Sequence, residues 1–192
     1  RDARDKVLEK TGIKLRSRIS SSLTTSGYER LASGRSIIIM DCSHNSKDVY
    51  NGLLSFEMSV GRDRLIVNCG PAPNNEKNWE KALASSAAHS CLVINNTNSS
   101  SVKNNTKTKI NVTREVTSGF EIISAKHNGY ETLYSAIHKR VLKLDARGTF
   151  LKGVDHIISG PGIEFKISVT ILVTSCGKVP PLVSHKTIHL AP

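Results

Sequence analysis

Two polar residues two positions apart, His138 and Arg140, are candidates for contacts with a charged ligand. They lie in the alternating segment ETLYSAIHKRVLKL (131–144), where strand geometry would place side chains two apart on the same face. The same alternation groups Tyr130 with Tyr134, which precede His138 in the sequence. A surface with Tyr, His and Arg suits an acidic sugar, because Arg binds carboxylates through two parallel hydrogen bonds and aromatic rings cover sugar faces.

The neighbouring turn offers a structural alternative for part of this group. Asn128-Gly129 is a strong turn signal between two strand-like runs. His127 and Tyr130 flank that turn and could brace a hairpin instead of binding a ligand. The turn signal favours the bracing interpretation, and we retain His127, Tyr130, His138 and Arg140 as candidate binding residues beside it.

Other pairings of reactive side chains find less support in the sequence. Asp155 and His156 are adjacent, but neighbours on a strand point to opposite faces, so we do not expect an acid–base pair. No C-x-x-C pair is present to suggest a thiol metal site or a redox motif. The four cysteines stand far apart beside strand-like runs and are predicted to be small, buried, reduced thiols: Cys42, Cys69, Cys91 and Cys176.

The elements that must position these groups are short strands separated by Gly, Asn, Pro and Asp. The one credible internal helix is NWEKALASSAAH (78–89), and residues 1–26 are expected to form a short N-terminal helix and a linker. Many short strands with little helix predict a mainly β chain folded as an antiparallel β-sandwich. The strand-like runs are SIIIM (36–40), LLSFEMSV (53–60), RLIVN (64–68), CLVIN (91–95), FEIISAKH (120–127), the 131–144 run, FLKGVDHII (150–158) and EFKISVTILV (164–173).

The charge of the chain limits its partners. Lys and Arg total 27 against 16 Asp and Glu, which gives a formal net charge of +11 and favours polyanions such as nucleic acid, anionic membranes and acidic polysaccharides. The basic residues are dispersed, aromatic residues make up 5%, and no nucleic-acid-binding motif is present, so specific nucleic-acid binding is not expected. No apolar run approaches the ~18 residues of a membrane helix, so no membrane span is expected.

Five segments resemble, in order and spacing, the C-terminal region of heparinase II/III-like proteins, in particular the bacterial members of that family. They are GYERLASGRSIIIMD (27–41), GLLSFEMSVGRDRLIVNCG (52–70), AAHSCLVINNT (87–97), HNGYETLYSAIHKRVL (127–142) and LKGVDHI (151–157). The resemblance covers about residues 27–167 and fades after Ile167. We therefore expect a helix and linker remnant over 1–26, a heparinase II/III-like β-sandwich over 27–176 and a divergent, poorly packed tail over 177–192.

The resemblance implies a polysaccharide lyase that cleaves acidic, uronate-containing polymers by β-elimination. In that family an α/α toroid carries most proton-transfer residues, and the sandwich closes one wall of the sugar-binding cleft. The charged opening RDARDKVLEK has no Met and no apolar signal core, which predicts a start inside a longer polypeptide. We expect a fragment without its toroid, inactive alone and without catalytic residues of its own.

Three further expectations accompany the resemblance, on function, on the gene and on location. The alternative function is a non-catalytic acidic-glycan-binding or structural β-sandwich. A truncated or frameshifted gene would account for the divergent tail. The family's substrates imply the periplasm or cell envelope of a bacterium, while reduced cysteines are also compatible with the cytoplasm.

The sandwich of the metal-containing lyases in this family resembles H-x-H-x-D-x-L-S-F-E followed by V-D-x-G and a His. In this chain those positions hold Asp48, Tyr50, Gly52 and Asn68, and only His89 is left of the set. One imidazole cannot supply the roughly four ligands of a structural zinc, so no metal and no other cofactor is predicted. His89 has two interpretations, a substrate-binding residue in the wall that faces the sugar or a core residue that ends a helix.

Overall fold

The structure is a computed structural model that describes residues 22–23, 26–43, 51–70, 72, 77–99, 108–117, 119–162, 165–173 and 182–189. The helix predicted within residues 1–18 lies outside these ranges, as do Asp48, Tyr50 and Cys176. Strands dominate the described ranges, and they are β1 (Ser22–Leu23), β2 (Tyr28–Ser33), β3 (Ser36–Asp41), β4 (Phe56–Val60), β5 (Asp63–Val67), β6 (Leu92–Ile94), β7 (Ile110–Thr117), β8 (Phe120–His127), β9 (Ile137–Asp145), β10 (Leu151–Ile158), β11 (Lys166–Val173) and β12 (Leu182–His189).

These strands form two antiparallel sheets. The larger sheet has eight strands in the order β1-β2-β3-β4-β5-β11-β12, with β6 paired to β11, and the smaller one has the order β10-β9-β8-β7. Apolar side chains from both sheets meet in one core, which buries Leu31, Ile38, Met40, Cys42, Leu54, Phe56, Ile110, Ile123, Ala125, Leu142 and Leu144. The predicted antiparallel β-sandwich is confirmed, because each sheet covers the apolar face of the other.

The smaller sheet follows strand alternation closely on β9. Along Ile137–Asp145 the even-numbered side chains are buried and the odd-numbered ones up to Lys143 are partly exposed. Successive side chains of a strand point to opposite faces, so the even positions face the larger sheet and the odd positions form the outer surface. The prediction that His138 and Arg140 share one face is confirmed, and that face is the inner one.

Two predicted elements differ in the structure. The helix predicted over 78–89 becomes α1 (Lys77–Leu83) and a single 3₁₀ turn (Ser86–Ala88), because Ser85 takes an extended backbone conformation between them. The strand predicted over 131–144 begins with a short helix, α2 (Glu131–Tyr134), which ends where Ser135 adopts a left-handed conformation with φ of 47°. Tyr134 is therefore on a helical turn and not on the strand of His138.

The C-terminal part is more regular than the sequence indicated. Strand β11 forms in the predicted EFKISVTILV run, and β12 pairs with it along its full length, from Lys166 opposite His189 to Val173 opposite Leu182. The tail expected to be poorly packed from Gly177 onward thus contributes a strand to the larger sheet, while the domain boundaries stay a prediction. No helix in the described ranges is long and apolar enough to cross a membrane.

Candidate functional site

A buried ion pair between neighbouring strands lies at the centre of the candidate site. The β9–β10 register sets Arg140 opposite Asp155. Arg140 Nε donates to Asp155 Oδ1 at 2.7 Å, and Nη2 donates to Oδ2 at 2.9 Å. The Arg140 side chain is 2% exposed and that of Asp155 is 20% exposed. This two-point geometry satisfies both charges inside the sandwich, which a single contact would not.

Two histidines extend this pair into a chain of hydrogen bonds. The backbone N–H of Gly129 donates to His127 Nδ1 at 3.0 Å. His127 Nε2 lies 3.0 Å from His138 Nδ1, and His138 Nε2 lies 2.8 Å from Asp155 Oδ1. Since His127 Nδ1 accepts, its Nε2 must carry the proton and donate to His138, whose own Nε2–H then donates to the carboxylate. One tautomer of each neutral ring therefore satisfies the whole chain.

The surroundings hold these groups in fixed charge states. Burial lowers the pKa of His127 well below its ordinary value, and His138 and Arg140 lower it further. Burial also lowers the pKa of His138, although the hydrogen bond to Asp155 opposes that effect. Burial would raise the pKa of Asp155, but Arg140 and His138 outweigh it and hold that pKa well below the usual range. The hydrogen-bonded series of side chains thus contains two neutral imidazoles, one carboxylate and one guanidinium.

Arg140 also fixes two loops of the larger sheet. Its Nη1 donates to the carbonyl of Leu54 at 2.7 Å and to the carbonyl of Ser90. Leu54 is fully buried and has a φ of 58°, a left-handed conformation that costs an L-residue about 1–2 kcal/mol. The Arg140 guanidinium also lies over the Phe56 ring, 5.5 Å from its centroid. One buried side chain therefore holds the Leu54 turn and the Ser90 segment in position.

The positions that match the family's metal ligands converge beside these loops. A Cβ added to Gly52 would lie 3.5 Å from Cγ of the His89 ring, so His89 packs directly on the Gly52 backbone. Asn68 Oδ1 accepts the backbone N–H of Ser90 at 2.8 Å. Burial lowers the pKa of His89, with the backbone of Leu83 opposing that effect. Gly52, Asn68 and His89 thus lie close together, and their correspondence to the family motif stays a prediction.

These residues do not fit a metal ion. Gly52 offers no ligand, its side-chain space is bordered by the His89 ring, and the Asn68 amide oxygen is already used by the backbone. In the part of the chain that the structure describes, no group of three or more His, Cys, Asp and Glu could hold a metal. No step of the chemistry proposed below runs through a metal, and the predicted lack of one stays a prediction.

The structure brings four of the five candidate binding residues together. The Tyr130 hydroxyl donates to the carbonyl of Leu92 at 2.7 Å, and its ring lies 5.7 Å from that of His127, which bonds to His138. His127, Tyr130, His138 and Arg140 are each at most 2% exposed. That burial favours the bracing interpretation, because a sugar could reach these atoms only if the strands separated. Substrate binding by these residues stays a prediction.

His89 is set apart from that group, in the turn after the 3₁₀ helix. It is 7% exposed, and the next residue links it to the others, since the Ser90 carbonyl accepts from Arg140. Its burial fits the interpretation as a core residue that ends a helix. Its position in the wall that would face the sugar stays a prediction.

Sequence reasoning missed Asp155 and Ser90. The argument against an Asp155–His156 pair was sound, because His156 is exposed on the outer face. The partners of Asp155 are across the strand and not beside it in sequence. A hairpin centred on the turn at Ala146–Gly148 sets Arg140 opposite Asp155, so the strand register was the signal that could have found the pair.

The cysteines divide into two kinds. Cys42 and Cys91 are buried free thiols, as predicted, and burial raises the pKa of each to about 12. Cys69 is also free but exposed, so the prediction that it is buried is wrong. It lies just after β5, where the chain leaves the sheet. A raised pKa suppresses the thiolate, so Cys42 and Cys91 are unreactive core residues.

Comparison with known proteins places this arrangement in a family. Residues 15–186 match the family model described as Heparinase II/III-like, C-terminal, which extends past the point where the resemblance was expected to fade. The fold is similar to that of a solved heparinase III with methylated lysines, with a TM-score of 0.57 and 14% sequence identity over 85% of this chain and 25% of that one. The chain thus spans a quarter of that protein's length. No curated protein matches it. Because the family match includes most of the residues, the chain belongs to the heparinase II/III-like C-terminal family.

Proposed function

We propose that this chain is the β-sandwich domain of a polysaccharide lyase that cleaves acidic, uronate-containing polymers by β-elimination, with proton transfer supplied by an α/α toroid. The family match over residues 15–186 carries this proposal. This chain covers a quarter of the length of the heparinase III to which its fold is similar. That share is consistent with a domain that acts together with another domain. The sandwich contributes substrate binding and a rigid wall.

The state of the buried groups supports placing proton transfer outside this domain. A general base in β-elimination must come within hydrogen-bond distance of the proton at C5 of the uronate. His127 and His138 are enclosed and already bonded to their neighbours. Burial raises the pKa of Tyr130, whose hydroxyl donates to a backbone carbonyl. None of these three side chains presents a base to the surface.

The proposal is tested by separating binding from cleavage. The full chain is incubated with heparan sulfate, with alginate and with neutral dextran, and both the ultraviolet absorbance of the unsaturated product and calorimetric binding are followed. We expect binding to the two acidic polymers, no binding to dextran and a flat absorbance trace. Product release by the chain alone would overturn the assignment of proton transfer to another domain. Lack of binding to every uronate polymer would overturn the substrate class.

A non-catalytic glycan-binding sandwich is the second candidate, and the formal charge of +11 favours it as an anion binder. Adding the helical domain of a heparinase II/III-like lyase separates the two candidates. Release of unsaturated product in the mixture above that of the helical domain alone supports the lyase domain. Unchanged release with retained binding supports the second candidate.

We propose the periplasm or cell envelope as the location, because acidic polysaccharides are met there. Osmotic-shock fractionation of cells that carry the tagged parent protein tests this, and recovery in the cytoplasmic fraction would contradict it.

A further inference from the structure

We propose that the outer face of the four-stranded sheet is the surface that binds the anionic polysaccharide. This inference rests on the proposed function and names the residues that carry out its binding step. The surface, termed here the lysine face, is formed by four lysines of β8, β9 and β10, which are Lys126, Lys139, Lys143 and Lys152.

Strand register brings these lysines together. Lys143 pairs with Lys152 across β9 and β10, and Lys139 pairs with Lys126 across β9 and β8. Lys139 is also opposite His156 on its other side. Paired side chains on one face of a sheet are about 5 Å apart at their Cβ atoms, so each pair forms one local concentration of positive charge.

The lysine face has no internal compensation for its charge. Like charges directly opposite each other in a sheet are unfavourable, and here two such pairs occur side by side. None of the four lysines forms an ion pair with a carboxylate in the described ranges. Of the acidic residues on that face, Glu115 is on the edge strand β7 and is separated from Lys143 by Ile122 of β8, and Asp145 accepts hydrogen bonds from Thr149 and Phe150. A bound polyanion would relieve the repulsion.

The spacing of the charges suits an extended chain. Between the Lys143–Lys152 and Lys139–His156 pairs lies an apolar pair, Val141 opposite Val154. Pairs on the same face repeat about every 7 Å along the strands, so the two basic pairs are roughly 14 Å apart. The valines offer an apolar strip on which the C–H groups of sugar rings can lie, with carboxylates reaching the lysines on each side.

An acidic polysaccharide fits this surface better than single-stranded nucleic acid does. Proteins that bind single strands combine basic grooves with aromatic rings on which bases stack. Along the outward positions of β8, β9 and β10, the only aromatic side chain besides His156 is Phe120, at the far end of β8. Phe150, which precedes β10, is also exposed, so the two phenyl rings lie at one end of the surface and its centre supplies charge and aliphatic contact.

The test compares two variants of the full chain that lose the same charge. One carries Lys126→Gln, Lys139→Gln, Lys143→Gln and Lys152→Gln. The matched control removes four exposed basic side chains elsewhere, with Arg35→Gln, Arg62→Gln, Lys81→Gln and Lys166→Gln. Binding to alginate is measured by calorimetry at several salt concentrations, with single-stranded DNA and anionic vesicles as competing probes, and circular dichroism checks the fold of each variant.

We expect the lysine-face variant to bind alginate on the order of 100-fold more weakly than the unmodified chain and with a smaller dependence on salt. The control variant should lose less than about 5-fold, because it leaves the paired lysines in place. Equal losses in the two variants would overturn the lysine face while leaving the proposed function intact. Tighter binding to DNA or vesicles than to alginate would also overturn it. Binding of the unmodified chain to neither alginate nor heparan sulfate would instead remove the proposed substrate class on which the inference rests.

Discussion

Charged side chains have different partners on the two faces of strand β9. On the inner face, Arg140 makes a two-point ion pair with Asp155, and His138 completes the hydrogen bonding of the same carboxylate. On the outer face, Lys139 and Lys143 are opposite other basic side chains and form no ion pair with a carboxylate in the described part of the chain. Residues one position apart in sequence thus belong to two different electrostatic environments.

This difference separates a structural role from a binding role. A buried charge that loses its partner costs several kcal/mol, so the inner face is satisfied within the protein itself. Exposed lysines cost only tenths of a kcal/mol when they repel, so the outer face can keep an unbalanced charge for a partner. The inner face explains how the sandwich holds its loops, and the outer face indicates what it binds.

Removing the carboxylate from the inner face should have the largest effect on stability. Asp155→Asn leaves the guanidinium of Arg140 buried without a counter-charge, and we expect the free energy of unfolding to fall by about 3 kcal/mol. Urea denaturation followed by circular dichroism measures the change. The double variant Arg140→Met/Asp155→Leu should lose less than the sum of the two single substitutions, because it removes both charges together.

A matched control for this prediction is Glu115→Gln, which removes a carboxylate from the outer face of the edge strand β7. It should change stability by less than about 0.5 kcal/mol, as exposed substitutions usually do. If Asp155→Asn were as mild as this control, the ion pair would contribute little and the contrast between the faces would fail.

The stability of the inner face should depend on pH. His127 and His138 have pKa values lowered by burial, so the folded protein keeps them neutral at pH values where the unfolded chain protonates them. Their contribution to stability is therefore complete above a pH of about 6.5 and declines as the pH falls below it. Each histidine contributes a slope of up to about 1.4 kcal/mol per pH unit. Asp155 adds nothing in this window, because its lowered pKa affects stability only in stronger acid.

Urea unfolding between about pH 7.5 and pH 5 measures the summed slope, to which His89 also contributes because burial lowers its pKa. The control is His156→Gln, which changes an exposed histidine on the outer face and should leave the slope as it is. A flat stability profile across this range in the unmodified chain would show that the imidazoles gain protons inside the sandwich, contrary to the neutral chain of hydrogen bonds.

The sequence predicted which residues share a face of β9. It did not predict which face is buried or which groups bond there. Alternation in IHKRVLKL correctly placed His138 with Arg140, because a half-buried strand imposes its period of two on the side chains. Alternation does not say which face is inside, and the polar residues suggested a binding surface. The structure encloses them, since the hydrogen bonds that allow burial come from Asp155 and Leu54, which are distant in sequence.

Local turns limited the prediction elsewhere. Ser85 and Ser135 interrupt runs that looked continuous, and neither is a strong breaker by residue type. The extended strand β12 was missed because its sequence departs from the resemblance, whereas its pairing with β11 depends on backbone hydrogen bonds that any side chain allows. The assignment of Gly52, Asn68 and His89 to the family motif stays a prediction, although the structure places His89 against Gly52 and Asn68 beside Ser90.

The third prediction concerns the other end of the inner network. Tyr130→Phe removes the hydroxyl that donates to the carbonyl of Leu92, in a site where Tyr130 is fully buried. We expect a loss of about 1 kcal/mol in the free energy of unfolding, the usual contribution of one such hydrogen bond. Tyr134→Phe is the matched control, because that ring packs against Phe165 and is only partly buried. If both substitutions were equally mild, the Tyr130 hydroxyl would not brace β6.

The smallest expected effect has the opposite sign and tests the outer face. Lys143→Gln removes one of two like charges that are directly opposite each other, so it should raise the free energy of unfolding by a few tenths of a kcal/mol. Lys152→Gln should have the same effect alone and add almost nothing in the double variant, since either substitution removes the repulsion. Thermal unfolding at low and high salt measures this coupling, which salt should suppress. A loss of stability in both single variants would show that these lysines support the sandwich themselves, and β9 would then have two structural faces.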